Sequence, residues 1–274
     1  GIGDIIRGII TTYIYCKKKN YKFRVSFRYH PLYCLLKNDN EYNTDKILSL
    51  SNICNYDVSN YDMSNTDFIW EEKIEDYIEK NINDEHNICE NNNDKIIHFM
   101  HNQKYNELDF TEEIKNNISI YLREIFTPNK EILQNYLNLI NKFNIVNNYK
   151  ILHFRLGDNG LIKLKEENSI INKAIKILNN FVCNNETKNL VIITDNTYFK
   201  KILEQKYDLH IIQFDKIGHF GKHKDLEKLK GSLLEYYFMI LANNIISYSV
   251  YKWNSGFAKS ASIIGNNIIS FHKI

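Results

Sequence analysis

The six residues "HFRLGD" put His153, Arg155, Gly157 and Asp158 directly behind the apolar pair Ile151 and Leu152. A guanidinium is a planar fork that grips two oxygens of a phosphate at once, and it stays charged at any working pH. A glycine beside it lets backbone approach a ligand closely. Asp158 has three available roles: orienting Arg155, capping the next element, or touching the ligand. Two readings follow. One is a site built to hold an anion; the other is a strand that ends in a buried histidine and an Arg–Asp pair. Composition alone does not separate them.

Three other clusters have comparable chemistry. Thr194-Asp195-Asn196 follows the apolar run "NLVII". Asp or Asn in that place most commonly caps the next helix, while a functional Asp195 would accept hydrogen bonds from a base or a ribose. Ser255 and Gly256 open "SGFAKSASIIG", where free N–H groups at a helix start favour a phosphate or sugar oxygen, or Ser255 is a plain cap. "GIGDIIRGIITTYIYC" begins the chain, and its Gly-x-Gly turn ahead of an Ile-rich helical pattern would again aim N–H groups and a positive dipole end outward.

Period-two side-chain alternation puts His153, Arg155 and Gly157 on one side of the first strand, with Leu152, Phe154 and Leu156 on the other. From residue 149 onward the strand-like runs "YKILHFR", "NLVIITD", "LHIIQFD", "NNIISYS" and "NNIISFH" alternate with helical patterns near 168–181, 197–206, 224–242 and 255–264. Nearly continuous apolar strands separated by helices predict a parallel sheet covered on both faces. The polar clusters of this half all fall at strand carboxyl ends, where such sheets bind ligands. Residues 147–274 therefore read as a Rossmann-like domain. Residues 1–146 read as a more decorated α/β domain. It contains a strand in "KFRVSFRYHPLYCLL", bent or ended near Pro31, and a polar insertion at about 37–67. A short helix at 69–80, a polar loop at 83–94, a strand "KIIHFM" and helices near 111–125 and 129–143 complete it. The expected ligand cleft lies between the two domains.

Bulk composition narrows the partners. With 274 residues and 43% apolar content the chain buries real cores, so it is not a disordered polypeptide. Thirty-five basic against 33 acidic residues leave no broad field for nucleic acid, and Lys17-Lys18-Lys19 reads as a solvated loop. Five cysteines without metal-ligand spacing imply neither a disulfide framework nor a zinc site, and slightly favour a reducing, cytoplasmic setting. The histidine pairs His98/His101 and His219/His223 lack carboxylate or thiolate partners, so no metal site is expected. The sequons at Asn117 and Asn185 are expected by chance in an Asn-rich chain. No run approaches the ~20 apolar residues of a membrane span. The opening at Gly1 without Met leaves room for a removed leader, anchor or further domain, so the compartment is unassigned.

In order along the chain, "GIGDIIRGI", "HFRLGD", "ITDN" and "NSGFAKSASIIG" resemble the fucosyltransferase superfamily. That group includes the α1,6-, nodulation, xyloglucan and protein O-fucosyltransferases. The first segment is similar to their G-x-G-N-x-x-R-G opening, the second to H-x-R-x-G-D, and the last to S-x-F-S/A-x-x-A. The resemblance implies a GT-B fold, two Rossmann-like domains facing across a cleft. It also implies inverting, metal-independent transfer of fucose from GDP-fucose to a glycan or protein hydroxyl, with no cofactor. Carried over, Arg155 holds the donor β-phosphate, with His153, Gly157 and Asp158 shaping the pocket. Thr194 and Asp195 lie near the guanosine, and Ser255, Gly256 and Phe257 contact the diphosphate. Gly3, Asp4 and Arg7 face the fucose and acceptor.

Two departures from the family pattern stand out. Its opening Asn is Asp4 here, which makes Asp4 a candidate base for the acceptor hydroxyl. The carboxylate found beyond the Arg motif in α1,6 enzymes is replaced by Lys163, with Glu166 and Glu167 off register, so acceptor and linkage are not inherited. One alternative is a catalytically degenerate GT-B protein that binds glycan or nucleotide without transfer. A nicotinamide-dependent oxidoreductase rests on "GIGDIIRG" alone, without a preceding strand, the last glycine of GxGxxG or an acidic ribose partner.

Overall fold

The apolar runs of the second half assemble as parallel strands. The computed structural model describes residues 1–19, 22–27, 30–37, 52–57, 88–91, 94–99, 109–146, 148–157, 164–184, 187, 189–211 and 225–274. Contacts group residues 1–130 with 219–226 in one unit, and residues 131–218 with 227–274 in another.

In the second unit, strands β5 (Lys150–Arg155), β6 (Leu190–Thr194), β7 (His210–Ile211), β8 (Asn244–Ser249) and β9 (Ile268–Lys273) pair in the order β7-β6-β5-β8-β9. Every pairing is parallel. Counted within the unit this is 3-2-1-4-5, the Rossmann order, in which the chain reverses direction across the sheet between β5 and β8. The helices connecting or flanking these strands are α3 (Lys130–Lys142), α4 (Leu164–Asn184), α5 (Thr197–Lys206), α6 (Leu226–Leu241) and α7 (Gly256–Gly265).

The faces sort as period two requires. Leu152, Phe154 and Leu156 join one core with Ile171, Ala174 and Leu178 of α4 and Phe199 and Leu203 of α5. Their spacing, i to i+3 to i+7 on α4 and i to i+4 on α5, is the apolar stripe of a sheet-covering helix. On the opposite face α6 is buried without interruption from Gly231 to Ile240. That leaves Glu235 nowhere to reach water, and Lys200 of α5 meets it at 2.5 Å.

The amino edge of this sheet is tied by backbone bonds beyond the strands: Lys150 N to Asn189 O, Asn243 N to Tyr149 O, and Ile268 N to Asn243 O. Asn267 adds a side-chain clamp. Its Nδ2 donates to the carbonyls of Ala242 (2.6 Å), Met239 (2.8 Å) and Ile240 (3.2 Å), satisfying the C-terminal turn of α6. Gly265 packs so closely that a Cβ there would lie 2.2 Å from both Ile240 O and Asn267 Oδ1.

The first unit has α1 (Ile2–Lys19), the sheet order β1-β2-β4-β3 and helix α2 (Glu112–Ile125). Its strands are β1 (Lys22–Ser26), β2 (Asn52–Asp57), β3 (Ile88–Asn91) and β4 (Asp94–Phe99); β1–β2 and β2–β4 are parallel and β3–β4 antiparallel. Isoleucine is an indifferent helix former, so burial holds α1: Ile2, Ile5, Ile6, Ile9, Ile10 and Ile14 are all covered. Phe23 and Val25 of β1, and Phe27 just after it, are buried. The edge N–H of Val25 donates to the Tyr121 hydroxyl of α2 at 3.2 Å.

Several expectations for this half are corrected. Helix α1 starts at Ile2, so Gly3 lies in its first turn rather than in a Gly-x-Gly turn ahead of it. Lys17 to Lys19 continue α1 instead of forming a loop, and Lys17 and Lys18 pair with Glu113 and Asp109 at 2.7 and 2.8 Å. The strand near Pro31 stops at Ser26, and Pro31–Cys34 form a 3-10 turn capped by the His30 imidazole. The polar stretch 37–67 contains the inner strand β2, and the polar loop 83–94 contains β3. The helix expected at 69–80, the sequon at Asn185 and the pair His219/His223 lie outside the described residues. Among the described residues no helix is long and apolar enough to cross a membrane.

Candidate functional site

Strands β5 and β8 flank the reversal point, and their paired residues change character along the sheet. Ile151 is in register with Ile245, His153 with Ser247, and Arg155 with Ser249. One face therefore runs from apolar, through neutral polar, to charged as it nears the carboxyl edge. This is the edge at which open α/β sheets bind ligands.

His153 sits midway, buried, with Nδ1 2.9 Å from the Ser247 hydroxyl. Burial, reinforced by the Arg155 charge, pushes its imidazole down to about 3 from the ordinary 6.5. The ring is therefore neutral at working pH, a hydrogen-bonding and packing group rather than a cation. It lies 6.4 Å from the Phe257 ring, which in turn packs 5.0 Å from Tyr236.

Arg155 is oriented from the neighbouring strand end. Asp195, one residue past β6, forms an ion pair with the Arg155 guanidinium. The same carboxylate accepts the backbone N–H of Leu156 at 2.8 Å and of Gly157 at 3.2 Å. Gly157 makes that turn possible, with φ at 101°, a left-handed conformation costly for any residue with a Cβ. The Arg155 side chain remains 29% exposed. Its guanidinium carbon lies over the Tyr251 ring at 5.5 Å, so the pair with Asp195 and the ring fix the guanidinium of a partly exposed side chain.

Across the reversal point, α7 begins at Gly256. The Ser255 hydroxyl accepts the Ala258 N–H at 3.4 Å, so its side chain is committed to the cap. By helix geometry the N–H groups of Gly256 and Phe257 have no intrahelical acceptor, and Gly256 is exposed. Thr194 is fully buried, its hydroxyl accepting the Asn196 N–H at 3.3 Å. Asn196 rather than Asp195 caps α5, through the Phe199 N–H at 2.8 Å. Thr194 is thus covered, and the Asp195 carboxylate already serves Arg155 and two backbone N–H groups. Asp158 lies outside the described residues.

The remaining candidates belong to the first unit. Gly3, Asp4 and Arg7 are half-buried in the first two turns of α1, among covered neighbours. Asp4 pairs with Arg7 through one carboxylate oxygen and takes the Gly1 nitrogen at 2.8 Å on the other.

Sequence reasoning missed three participants. Asp195 as the orienter of Arg155 sits 40 residues away in sequence, and no local pattern signals it. Ser247 as partner of His153 carries no signal either. Tyr251, the ring beneath Arg155, was visible only as part of the aromatic-rich "SYSVYKW".

No protein-family model matches the chain, and no curated protein matches it. Solved structures similar to it include the NodZ α-1,6-fucosyltransferase co-crystallized with GDP, at TM-score 0.42 and 14% identity over 68% of this chain and 55% of that one. The same enzyme soaked with GDP-fucose gives 0.43 and 12%, over 69% and 56%. Fucosyltransferase NodZ from Bradyrhizobium gives 0.41 and 13%, over 68% and 56%. The chain spans about 55% of the length of these structures.

Proposed function

We propose that the second unit binds a nucleoside diphosphate sugar, and that the chain is an inverting, metal-independent glycosyltransferase moving fucose from GDP-fucose to a glycan or protein hydroxyl. One observation carries this reading: a partly exposed arginine, locked by Asp195, stands at the reversal point of a 3-2-1-4-5 parallel sheet. The ordered resemblance of "HFRLGD" and "NSGFAKSASIIG" to the fucosyltransferase motifs supplies the donor.

In such a transfer the sugar carbon becomes oxocarbenium-like while a diphosphate departs with growing negative charge. The exposed part of Arg155 would take that charge on the diphosphate oxygens. The N–H groups of Gly256 and Phe257 add donors that need no reorganisation. Neutral His153 would support this surface through Phe257. Removing one such charge-stabilising donor typically costs about 3–4 kcal/mol of barrier, or about 10²–10³ in rate. Inversion requires one base for the acceptor hydroxyl. Asp4 is the candidate for that role, and it must share its carboxylate with Arg7.

That last contact favours a second reading. With Asp4 engaged by Arg7, the chain would bind nucleotide or glycan without transferring the sugar.

The test has two arms. GDP should raise the melting temperature, and Arg155→Ala should abolish the rise. A screen of GDP-fucose, GDP-mannose and UDP-sugars for hydrolysis and transfer then names the donor. GDP binding without turnover of any donor selects the second reading, and absence of GDP binding overturns the GDP-fucose transferase.

A further inference from the structure

Trp253 is 67% exposed, unusual for a side chain that is highly buried on average. It is nevertheless held in place. Its ring stacks on Tyr251 at 4.9 Å and 16°, and Tyr251 in turn lies under the Arg155 guanidinium at 5.5 Å. The turn that carries both rings is pinned at three points. The Ser249 hydroxyl accepts the Tyr251 N–H at 3.1 Å and donates to Trp253 O at 3.4 Å, and Lys273 Nζ donates to Tyr251 O at 2.9 Å. This turn links β8 to α7, so it borders the same carboxyl edge as Arg155 and Gly256.

We propose that Trp253 is the stacking platform for the nucleobase of the bound nucleoside diphosphate. This rests on the nucleotide reading given above and deepens it. The residues first expected near the base are otherwise committed, Thr194 to the turn before α5 and Asp195 to Arg155 and two backbone N–H groups. A base nonetheless needs a surface, and a pre-ordered, exposed indole beside the diphosphate donors offers one at little entropic cost. Guanidinium, phenol and indole form a graded stack. Arg155 faces the diphosphate at one end, and the outer face of Trp253 takes a flat π-system at the other. Stacking reads the π-face and not the edge, so Trp253 would set affinity for any nucleobase, with choice among bases made elsewhere.

Calorimetric titration separates the contributions. GDP and inorganic pyrophosphate are titrated into the wild-type chain, Trp253→Ala, Trp253→Phe and Arg155→Ala. The exposed position makes the Trp253 variants tolerable to the fold. Stacking on one base predicts a loss of about 5- to 150-fold in GDP affinity for Trp253→Ala. Trp253→Phe should restore most of it, with pyrophosphate unchanged in both. Arg155→Ala should weaken both ligands. If Trp253→Ala binds GDP normally while Arg155→Ala does not, the platform is overturned and the nucleotide reading stands. If Trp253→Ala leaves GDP affinity intact but raises the acceptor KM, the ring serves a sugar and the proposal fails. If the wild-type chain binds no GDP, the nucleotide reading and the platform fall together.

Discussion

Asp195 holds Arg155 from an adjacent strand end while its carboxylate also gathers the N–H groups of Leu156 and Gly157. The arginine is therefore aimed by a carboxylate that also shapes the turn after β5. Asp195→Asn keeps the size and one acceptor oxygen but removes the charge and sets an amide beside the guanidinium. It should weaken GDP binding nearly as much as Arg155→Ala, with Arg155→Lys intermediate because an ammonium lacks the fork. Thermal shift with GDP across the three variants checks this. Normal binding by Asp195→Asn would remove its orienting role.

Asp4 gives a kinetic prediction. If it takes the acceptor proton, Asp4→Asn should lower kcat by about 10²–10⁴, with little change in GDP affinity. A single-turnover assay with GDP-fucose and a hydroxyl acceptor measures it. Full turnover in Asp4→Asn would leave the base to another residue.

His153 predicts an acid-sensitive fold. Unfolded, its imidazole protonates at the ordinary 6.5; folded, it resists protonation down to about 3. Between those values the unfolded chain binds the extra proton. Stability therefore falls as pH drops through that window, by up to about 1.4 kcal/mol per pH unit from this group. Denaturant titrations at pH 7, 6, 5 and 4 should show a steeper loss in the wild-type chain than in His153→Gln. Equal slopes would refute the assignment.

The buried pair Lys200–Glu235 predicts non-additivity. Burial pushes the Glu235 carboxyl up, and Lys200 opposes that shift. Lys200→Met alone strands a buried carboxylate and should cost about 3–5 kcal/mol. The double variant Lys200→Met/Glu235→Leu should recover most of the loss, because an apolar pair suits the same volume. Chemical denaturation of the three variants completes the cycle, and additive losses would argue against the pair.

Some of this architecture was readable in advance because burial leaves a period in the chain. Leu152, Phe154 and Leu156 alternate with His153 and Arg155, and the core that receives the first three follows directly. The run "LVII" likewise announces an inner parallel strand, and "NIIS" announces the parallel strands β8 and β9. Strand β2 escaped because "NICNYD" has no such period; a central strand is held by backbone ladders that do not depend on side-chain type. The Asp195 contact escaped for a different reason. It joins the ends of two strands paired across the sheet, and strand pairing is a property of topology that no local window contains.

Gly265 predicts a sharp local defect. A methyl group there would meet the Ile240 carbonyl and the Asn267 amide at 2.2 Å. Gly265→Ala should destabilise by about 1–3 kcal/mol, with GDP affinity of the folded fraction unchanged. Thermal melts with and without GDP test it; an unshifted melting temperature would mean that the Asn267 clamp yields without cost.

The Asn267 clamp on the last carbonyls of α6 lies at the amino edge of the sheet, whereas Arg155, Trp253 and Gly256 gather at the opposite edge. Cohesion and chemistry thus occupy different ends of the same strands. The turn at 250–254 meets the strands through few bonds, among them Val250 N to Arg155 O and Lys273 Nζ to Tyr251 O, so its exposed residues can be changed with the amino-edge clamp left in place. Substitutions on that rim should therefore change its surface chemistry while the fold's amino-edge cohesion is kept.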